Sequence, residues 1–332
     1  MIHLIHKIKI KIWSKIVYIL RDTKIYFIIY RSFWHFLFYK KVNNVHDTIY
    51  FSAVPNRGAG IGHQMANWIA GYWFAKQFNL KFAHIPFSSN EWESFLGFGN
   101  GEIAVQKLLK EGYKKVLLPL FNETNSKEVT LINRIISSYV DEKIVFLCEQ
   151  NQSYHNQFGV QSSIQQKFFK SKVREKEKLV FLKDKYNIAI HVRRGDIVIG
   201  QKNNNPNLVM RWQNNEYFVN VLNNVLKHIE TNKSIAIYLF SQGVEADFPE
   251  FANFENLTFC FDMSPQDSFS HMVFSDLLIT SKSSFSYKPA LLGNGLKVVP
   301  ANFWHGYPKT KDWILADEDG LFNYELLKTE MK

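Results

Sequence analysis

The chain has 332 residues, which is enough for two domains that each bury a sizeable core. Its hydrophobic fraction of 46% and charged fraction of 21% are typical of a globular protein and argue against a disordered chain. The formal net charge of +10 predicts an anionic partner, which can be a phosphorylated small molecule, a nucleic acid or an acidic membrane.

Residues 1–45 differ in composition from the rest of the chain. Residues 2–12 interleave isoleucine and leucine with lysine and histidine, and residues 25–39 are apolar and aromatic but include an arginine and a histidine. The uncharged runs are shorter than the roughly 20 apolar residues of a spanning helix, and no small-residue cleavage site indicates a signal peptide. We expect residues 1–41 to lie as a basic amphipathic segment on an anionic membrane surface, with the protein in the cytoplasm at the inner face of that membrane. A helical arm packed on the protein's own body and a tilted signal anchor are the alternatives.

After residue 46, short runs of β-branched and aromatic residues alternate with stretches of helical periodicity. In the first half, strands are predicted at 48–54, 80–86, 115–120 and 143–148, and helices at 63–78, 103–111, 130–139 and 161–178. In the second half, strands are predicted at 187–192, 234–240, 257–261, 277–280 and 296–300, and helices at 215–230, 267–274 and 285–292. This alternation predicts an α/β protein with parallel sheets and helices on both faces.

The same alternation divides the chain. With a charged hinge near 170–185, it predicts a basic extension at 1–45 and two Rossmann-like domains, at 46–180 and 181–332, that face a cleft.

The two cysteines, Cys148 and Cys260, each lie in an apolar run, so two buried free thiols are expected rather than a disulfide. No cysteine and histidine spacing matches a zinc site, and the sequence predicts no cofactor.

The strongest motif is the predicted strand 188–192 followed by Arg193, Arg194, Gly195 and Asp196. Ligands of open α/β sheets bind at the carboxyl ends of the strands. Because adjacent residues of a strand point to opposite faces, we expect one arginine to enter the cleft, where its planar fork suits a diphosphate. Gly195 allows a sharp turn, and Asp196 is expected to hold the other arginine or to accept from a ligand. A strand end capped by an ion pair is the alternative.

A second motif follows a later predicted strand, where Ser281, Lys282, Ser283 and Ser284 precede Phe285 and Ser286. These hydroxyls can cap a helix that begins at Phe285. The free N–H groups at such a helix start also bind phosphate. Capping without any ligand explains the same residues.

A third motif is a glycine-rich loop, with Gly58, Gly60 and Gly62 before His63 and Gln64, between a predicted strand and a predicted helix. This is the context of a ligand-binding loop. Its spacing matches neither the phosphate loop of NTPases nor the dinucleotide-binding fingerprint. A tight turn with close helix packing is the alternative.

Together these motifs resemble those shared by the α-1,2-, α-1,6- and protein-O-fucosyltransferases, with the bacterial α-1,2 group (similar to glycosyltransferase family 11) most similar. The family pattern His-x-Arg-Arg-x-Asp is met at 191–196. The family's glycine loop followed by Asn-Gln is similar to 60–64, and its late Ser-Ser-Phe-Ser segment is similar to 283–286. The family's aspartate that opens a helix resembles 267–274, and its closing aromatic segment resembles 302–304.

The resemblance spans about 50–304 and implies a GT-B fold, with 46–180 as the acceptor domain and 181–332 as the GDP-sugar domain. It implies that fucose moves from GDP-fucose to a hydroxyl of a glycan acceptor, with inversion at the anomeric carbon and without a metal. The expected linkage is α-1,2, on a bacterial surface polysaccharide or lipopolysaccharide.

The same resemblance implies roles for single residues. Arg193 would hold the β-phosphate and stabilise the departing GDP, and His191 would contribute mainly its backbone near the nucleotide. Asp267 would read guanine, because a carboxylate matches the paired N–H donors of that base. The remaining residues expected to bind the donor are Arg194, Gly60, Gly62, Gln64, Ser283, Ser284 and Phe285.

Two departures from the family pattern leave the general base open. His63 stands where the family's glycine loop has asparagine, and Gln201 stands where the α-1,6 group has a candidate glutamate base. Asp196 and His63 are therefore the candidate bases, beside Arg193 as the catalytic arginine.

Other functions compete with this one. A transferase for another nucleotide sugar is the nearest alternative, because a fold and a diphosphate-binding site do not fix the sugar. A nucleic-acid-binding protein would account for the charge, but much of that charge lies in residues 1–41 and no nucleic-acid motif occurs, so no nucleic-acid partner is expected. A non-catalytic glycan-binding protein is a third alternative. The acidic residues 317–319 are expected to form a solvated turn away from any ligand-bearing strand end, rather than a metal site.

Overall fold

A computed structural model describes residues 2–23, 25–39, 48–56, 58–149, 152–173, 178–261 and 263–328. The chain forms two compact units. The first unit comprises Met1–Val54, Ala70–Ile85 and Glu102–Ser153, and the second comprises Pro55–Ile69, Pro86–Gly101 and Tyr154–Lys332. The expected boundary between 45 and 46 lies outside the described residues.

The first unit is built on a five-stranded parallel sheet. Its strands are β1 (Ile49–Ala53), β2 (Lys81–His84), β3 (Ile103–Ala104), β4 (Lys114–Leu117) and β5 (Ile144–Cys148), in the order β3-β2-β1-β5-β4. Its helices are α1 (Ile2–Leu20), α2 (Arg31–Phe38), α5 (Val105–Lys110) and α6 (Ser126–Ser137), with a 3₁₀ turn at Tyr26–Ile29. A further helix, α3 (Ile61–Gln77), begins in the second unit and ends in the first.

The second unit is built on a six-stranded parallel sheet. Its strands are β6 (Tyr186–His191), β7 (Ile235–Phe240), β8 (Leu257–Cys260), β9 (Leu277–Ile279), β10 (Leu296–Pro300) and β11 (Trp313–Ala316). Its helices are α4 (Asn90–Leu96), α7 (Gln161–Phe169), α8 (Asp196–Lys202), α9 (Pro206–Val209), α10 (Asn215–His228), α11 (Pro265–Phe274) and α12 (Ser284–Leu292). Short 3₁₀ helices lie at Gln157–Val160, Glu245–Asp247, Pro249–Phe251 and Tyr324–Leu327.

The strand order of the second sheet positions the site. It runs β11-β10-β9-β6-β7-β8, so the chain winds outward from β6 to one edge and then returns beside β6 at β9 to wind the other way. This is the order of a doubly wound nucleotide-binding sheet, in which ligands bind at the point where the winding reverses. That point lies between β6 and β9, where Ile188 pairs with Leu277 and Ile190 pairs with Ile279.

Burial explains why the strands appear as continuous apolar runs in the sequence. Ile188, Ala189 and Ile190 are all fully buried, because helices cover both faces of a parallel sheet. Helix α10 begins at the N-cap Asn214, whose side chain accepts a hydrogen bond from the N–H of Tyr217 at 3.0 Å. The buried side chains of α10 then pack in one core cluster with the apolar residues of the sheet.

The predicted parallel α/β architecture is confirmed, with local differences. Residues 103–104 pair with β2 as a short strand, so the helix predicted at 103–111 begins two residues later. The helix predicted at 161–178 ends at Phe169, and residues 174–177 lie outside the described part of the chain. Helices α4, α8 and α9 and strand β11 were not predicted. Both cysteines are free and buried, as expected.

The amino-terminal segment packs against the rest of the first unit. Val17, Tyr26 and Tyr30 form a buried cluster with Leu120, so one face of this segment behaves as the helical arm that was kept as an alternative. Among the residues that the structure describes, no helix is both long and apolar enough to span a bilayer.

Candidate active site

The ends of β6 and β9 are joined at the reversal point of the second sheet. His191 is the last residue of β6, and Ser281 lies two residues beyond the end of β9. The Nδ1 atom of His191 lies 2.8 Å from the hydroxyl of Ser281 in a hydrogen bond. Burial, followed by the charges of Arg193 and Arg194, lowers the pKa of His191 to about 3. The imidazole is therefore neutral near pH 7, and it ties the two strand ends together rather than supplying charge.

Arg193 points from the end of β6 toward the start of α12. Its Nη1 donates to the hydroxyl of Ser283 at 3.0 Å, and its Nη2 donates to both carboxylate oxygens of Asp196 at 3.1 and 2.9 Å. Its buried Nε has no hydrogen-bond partner among the described residues. A guanidinium carries more N–H donors than these three bonds use, so Arg193 is oriented on two sides and retains donors for an anion.

Arg194 turns the other way, into the body of the second unit. It donates to the carbonyl of Gln213 at 3.1 Å and to the side chain of Asn215, and it stacks on Trp212 with its guanidinium carbon 4.2 Å from the ring centre. Burial lowers its pKa to about 10. The side chain of Arg194 is therefore fixed by packing and hydrogen bonds, and its role in donor binding stays a prediction.

One of the two roles expected of Asp196 was wrong. Asp196 was expected to hold the arginine that does not enter the site or to accept from a ligand. It holds Arg193, and Arg194 finds its partners in the segment before α10. The reason is local geometry. Gly195 adopts a φ of +65°, which turns the chain so that Asp196 opens α8 on the same side as Arg193. The role of Asp196 as an acceptor from a ligand stays a prediction.

The first turns of two helices meet beside Arg193. Ser283 is the N-cap of α12, and its hydroxyl accepts a hydrogen bond from the N–H of Phe285 at 3.2 Å. Gly62, in the first turn of α3, lies so close that an added Cβ would stand 2.7 Å from the carbonyl carbon and oxygen of Ser284. Because helix N-termini carry partial positive charge and free N–H groups, this junction and Arg193 together are suited to an anion.

The other predicted loop residues have different surroundings. Gln64 is buried, and its side-chain amide donates to the carbonyl of Ala59 at 2.9 Å and to the hydroxyl of Ser88 at 2.7 Å. Its carbonyl oxygen accepts from the N–H of Ser88 at 2.9 Å. Gln64 therefore holds the shape of the glycine loop. Gly60 is exposed, and a Cβ there would meet no atom within 4 Å.

His63 lies one residue beyond Gly62, in the first turn of α3, and is exposed. Partial desolvation, followed by the charges of Arg211 and Lys288, lowers its pKa below the ordinary value of 6.5. A histidine with a lowered pKa is unprotonated near pH 7 and can accept a proton.

A cavity of about 700 Å³ lies at the carboxyl ends of β6, β7 and β8. It falls within the usual size range of small-ligand sites. Its walls combine the predicted strand end with residues after the two neighbouring strands, namely His191, Val192, Arg193, Arg194, Gly195, Asp196, Ile199, Phe240, Ser241, Gln242, Phe261, Met263, Pro265, Ser268 and Phe285. Sequence reasoning missed Ser241, Gln242, Phe261 and Met263, although the rule that selected Arg193 also applies to the ends of β7 and β8.

Asp267 is not among the residues that line this cavity. It is exposed in the first turn of α11, where its carboxylate accepts from the hydroxyl of Ser264 at 2.7 Å and its N–H donates to the same hydroxyl at 3.1 Å. In this structure Asp267 completes a helix cap.

The acidic residues 317–319 are exposed at a turn, as expected. Their expected position away from the strand ends was wrong, because they directly follow β11, an edge strand of the same sheet. Glu318 accepts from the ammonium of Lys282 at 2.7 Å, directly before the N-cap Ser283. No group of three or more histidine, cysteine or acidic residues that could hold a metal occurs within the described ranges.

No protein-family model matches the chain, and no curated protein matches its sequence. Solved structures that resemble it include NodZ alpha-1,6-fucosyltransferase soaked with GDP-fucose, with 10% identity, a TM-score of 0.40, and coverage of 74% of this chain and 92% of that chain. POFUT1 in complex with GDP has 12% identity, a TM-score of 0.45, and coverage of 78% and 99%. Fucosyltransferase NodZ from Bradyrhizobium has 9% identity, a TM-score of 0.41, and coverage of 74% and 93%. At TM-scores below 0.5, these likenesses carry no argument about the activity of this chain.

Proposed function

We propose that this chain is an inverting glycosyltransferase that moves fucose from GDP-fucose to a hydroxyl of a glycan acceptor. One observation carries the proposal. Arg193, the first turn of α12 and the first turn of α3 converge at the reversal point of a doubly wound sheet, beside a cavity of about 700 Å³. This corner suits a diphosphate, and the aromatic and hydroxyl side chains of the cavity suit a nucleoside. The motif at 191–196 and its companions then favour GDP-fucose as the donor.

The proposed reaction is a single displacement. An acceptor hydroxyl oxygen attacks the anomeric carbon of fucose from the side opposite the diphosphate, forming the new glycosidic bond while the bond from that carbon to the β-phosphate oxygen breaks. The bonding electrons leave with GDP, and the acceptor proton passes to a base. Arg193 and the two helix starts stabilise the charge that grows on the β-phosphate, which assigns this task to protein groups rather than to a metal.

His63 is the better supported of the two candidate bases. Its lowered pKa leaves the imidazole free to accept a proton near pH 7, and it lies next to the junction of the helix starts. Both oxygens of Asp196 lie within hydrogen-bond distance of Arg193. We propose that Asp196 positions Arg193 and that His63 takes the proton.

The finer features of the proposal rest on the sequence resemblance. They are a GT-B arrangement with the acceptor bound by the amino-terminal half, an α-1,2 linkage, and a bacterial surface polysaccharide or lipopolysaccharide as the acceptor. We also propose that the reaction takes place at the inner face of the cytoplasmic membrane, because residues 1–41 account for most of the net positive charge of the chain. A transferase that uses another nucleotide sugar is the alternative that the geometry supports equally.

Thermal unfolding with nucleotides separates GDP-sugar donors from UDP-sugar donors. In the presence of EDTA, GDP is expected to raise the melting temperature, and UDP at the same concentration is expected to leave it unchanged. Arg193→Ala serves as the control, because it removes the diphosphate contact and leaves the core intact. Stabilisation by UDP without stabilisation by GDP would rule out GDP-fucose as the donor.

A further inference from the structure

The amino-terminal segment is fixed to the first unit by polar contacts as well as by packing. The indole N–H of Trp13 donates to Glu149 at 2.8 Å, and the hydroxyl of Tyr26 accepts from the N–H of Leu120 at 2.8 Å. The hydroxyl of Ser32, in α2, donates to the carbonyl of Leu117 on the edge strand β4 at 2.8 Å. One face of the segment is therefore held in a defined orientation, which also defines the face that stays uncovered.

The uncovered face is unusually apolar. Of the 22 exposed large hydrophobic residues in the described chain, 11 lie in this segment. They are Ile8, Ile12, Ile16, Tyr18, Ile19, Ile25, Ile28, Trp34, Leu37, Phe38 and Tyr39. Tyr18 is 83% exposed and Phe38 is 75% exposed. A concentration of exposed apolar side chains of this kind marks a surface that contacts a partner.

The charge of the segment identifies the kind of partner. Residues 1–41 contain nine lysines and arginines and one aspartate, a net charge of +8 within the chain total of +10. Lys9, Lys11 and Lys15 on α1 are exposed among the apolar residues. Isoleucine and aromatic side chains interleaved with lysine match the interface of an anionic bilayer, where the apolar groups enter the acyl boundary and the ammonium groups meet the headgroups.

A cavity of about 360 Å³ lies within the first unit, between the amino-terminal segment and the edge strand β4. Three exposed cationic side chains line it, Arg31 at the start of α2 and Lys114 and Lys115 on the edge strand. The one carboxylate in its lining, Glu142, lies 2.9 Å from the imidazole Nε2 of His35. The cavity therefore has a net positive lining of a size that admits a phosphate group.

We propose that the uncovered face of the segment binds a bilayer that contains anionic phospholipid, with the exposed apolar side chains inserted at the interface and the headgroup phosphates contacted by Arg31, Lys114 and Lys115. The proposal specifies the lipid class and the binding residues for the membrane location given above. It does not depend on the identity of the sugar donor.

Vesicle flotation of the full chain tests the proposal. The protein is expected to float with vesicles of phosphatidylcholine and phosphatidylglycerol, and to remain in solution with phosphatidylcholine alone. Arg31→Gln, Lys114→Gln and Lys115→Gln combined should weaken binding on the order of 100-fold, because each cation near such a surface contributes about fivefold. The matched control changes three exposed lysines elsewhere on the same unit, Lys107→Gln, Lys110→Gln and Lys127→Gln, and should bind more tightly than the first variant.

A second pair of variants tests the apolar contribution. Ile12→Gln, Ile19→Gln and Phe38→Gln combined should abolish flotation, whereas Val244→Gln, Leu315→Gln and Leu321→Gln, equally exposed on the second unit, should not. Equal binding by all four variants would overturn the proposal. Self-association that the apolar variant removes, without vesicle binding by the parent chain, would show that a second copy covers the face. Release of the protein from the vesicles by free inorganic phosphate would show that the cations form a pocket for a small anion instead. Stabilisation by GDP in each variant reports on sugar-donor binding separately.

Discussion

Replacing Arg193 by alanine should remove most of the catalytic rate and little of the stability. Its guanidinium is oriented by Ser283 and by Asp196, and these contacts lie at the edge of the site, where the Asp196 side chain is 57% exposed. An exposed ion pair of this kind contributes about 0–1 kcal/mol to folding. The melting temperature of the variant should therefore stay close to that of the parent chain.

The rate effect is larger because the contact strengthens as GDP departs. Negative charge grows on the β-phosphate during bond breaking, and removal of one preorganised donor from such a site lowers kcat by about 10²–10³, or about 2.7–4 kcal/mol. Loss of Arg193 also leaves the Asp196 carboxylate without its cation beside the diphosphate, which adds repulsion. The expected loss for Arg193→Ala lies at the upper end of that range.

Two companion variants separate charge from geometry. Arg193→Lys should recover little activity, because an ammonium cannot contact Ser283, Asp196 and a diphosphate together as a planar fork does. Asp196→Asn should lower kcat by about tenfold, since the guanidinium stays but loses its charged partner. The assay is GDP release at saturating GDP-fucose, with melting temperatures measured in parallel. A folded Arg193→Ala with the parent turnover would refute the assignment of this residue and the mechanism.

Three further predictions concern neighbouring residues. Gly62→Ala should weaken GDP binding, measured by calorimetry, because the added Cβ would clash with the backbone of the first turn of α12. At Gly58, in the same loop, an added Cβ meets no close atom, so Gly58→Ala should bind GDP as tightly as the parent chain. His63→Gln should lower kcat by about 10²–10⁴. Because a base with a lowered pKa loses activity when the pH falls through that pKa, the kcat/KM of the parent chain should decline on the acid side only below pH 6.5. An unchanged pH profile in the variant would assign the base to another residue. Arg194→Ala should lower the free energy of unfolding, measured in urea, by about 3 kcal/mol or more, because it leaves buried acceptors without a donor. A folded but inactive Arg194→Ala would show that the roles of Arg193 and Arg194 have been exchanged.

Much of the fold was predictable because its signals are local. The strand that ends at His191 is buried on both faces, so it forms an apolar run that ends abruptly at two arginines. The N-cap Ser283 and the turn at Gly195 were predictable for the same reason, since capping and turning depend on adjacent residues. Strand β11 was missed because its four residues, Trp313–Ala316, are too few to show the alternation of apolar and polar residues that marks a strand.

The details of the site depended on long-range contacts that a single sequence does not encode locally. Arg194 is held by the carbonyl of Gln213 and the side chain of Asn215, about twenty residues away, and this choice decides which arginine Asp196 meets. The wall residues Phe261 and Met263 join the cavity only because β8 pairs with β7. The contact of Gly62 with the start of α12 joins segments more than two hundred residues apart, and a glycine in a loop does not reveal its neighbour.

Fucosyl transfer is measured by incubating the purified full chain with GDP-fucose and a panel of simple glycan acceptors in EDTA. We expect release of GDP together with a fucosylated product whose anomeric configuration, read by NMR, is opposite to that of the donor. Both the GDP release and the product formation should fall by about 10²–10³ in Arg193→Ala. Turnover of a UDP-sugar without turnover of GDP-fucose would refute GDP-fucose as the donor, and a product that retains the donor configuration would refute the single displacement.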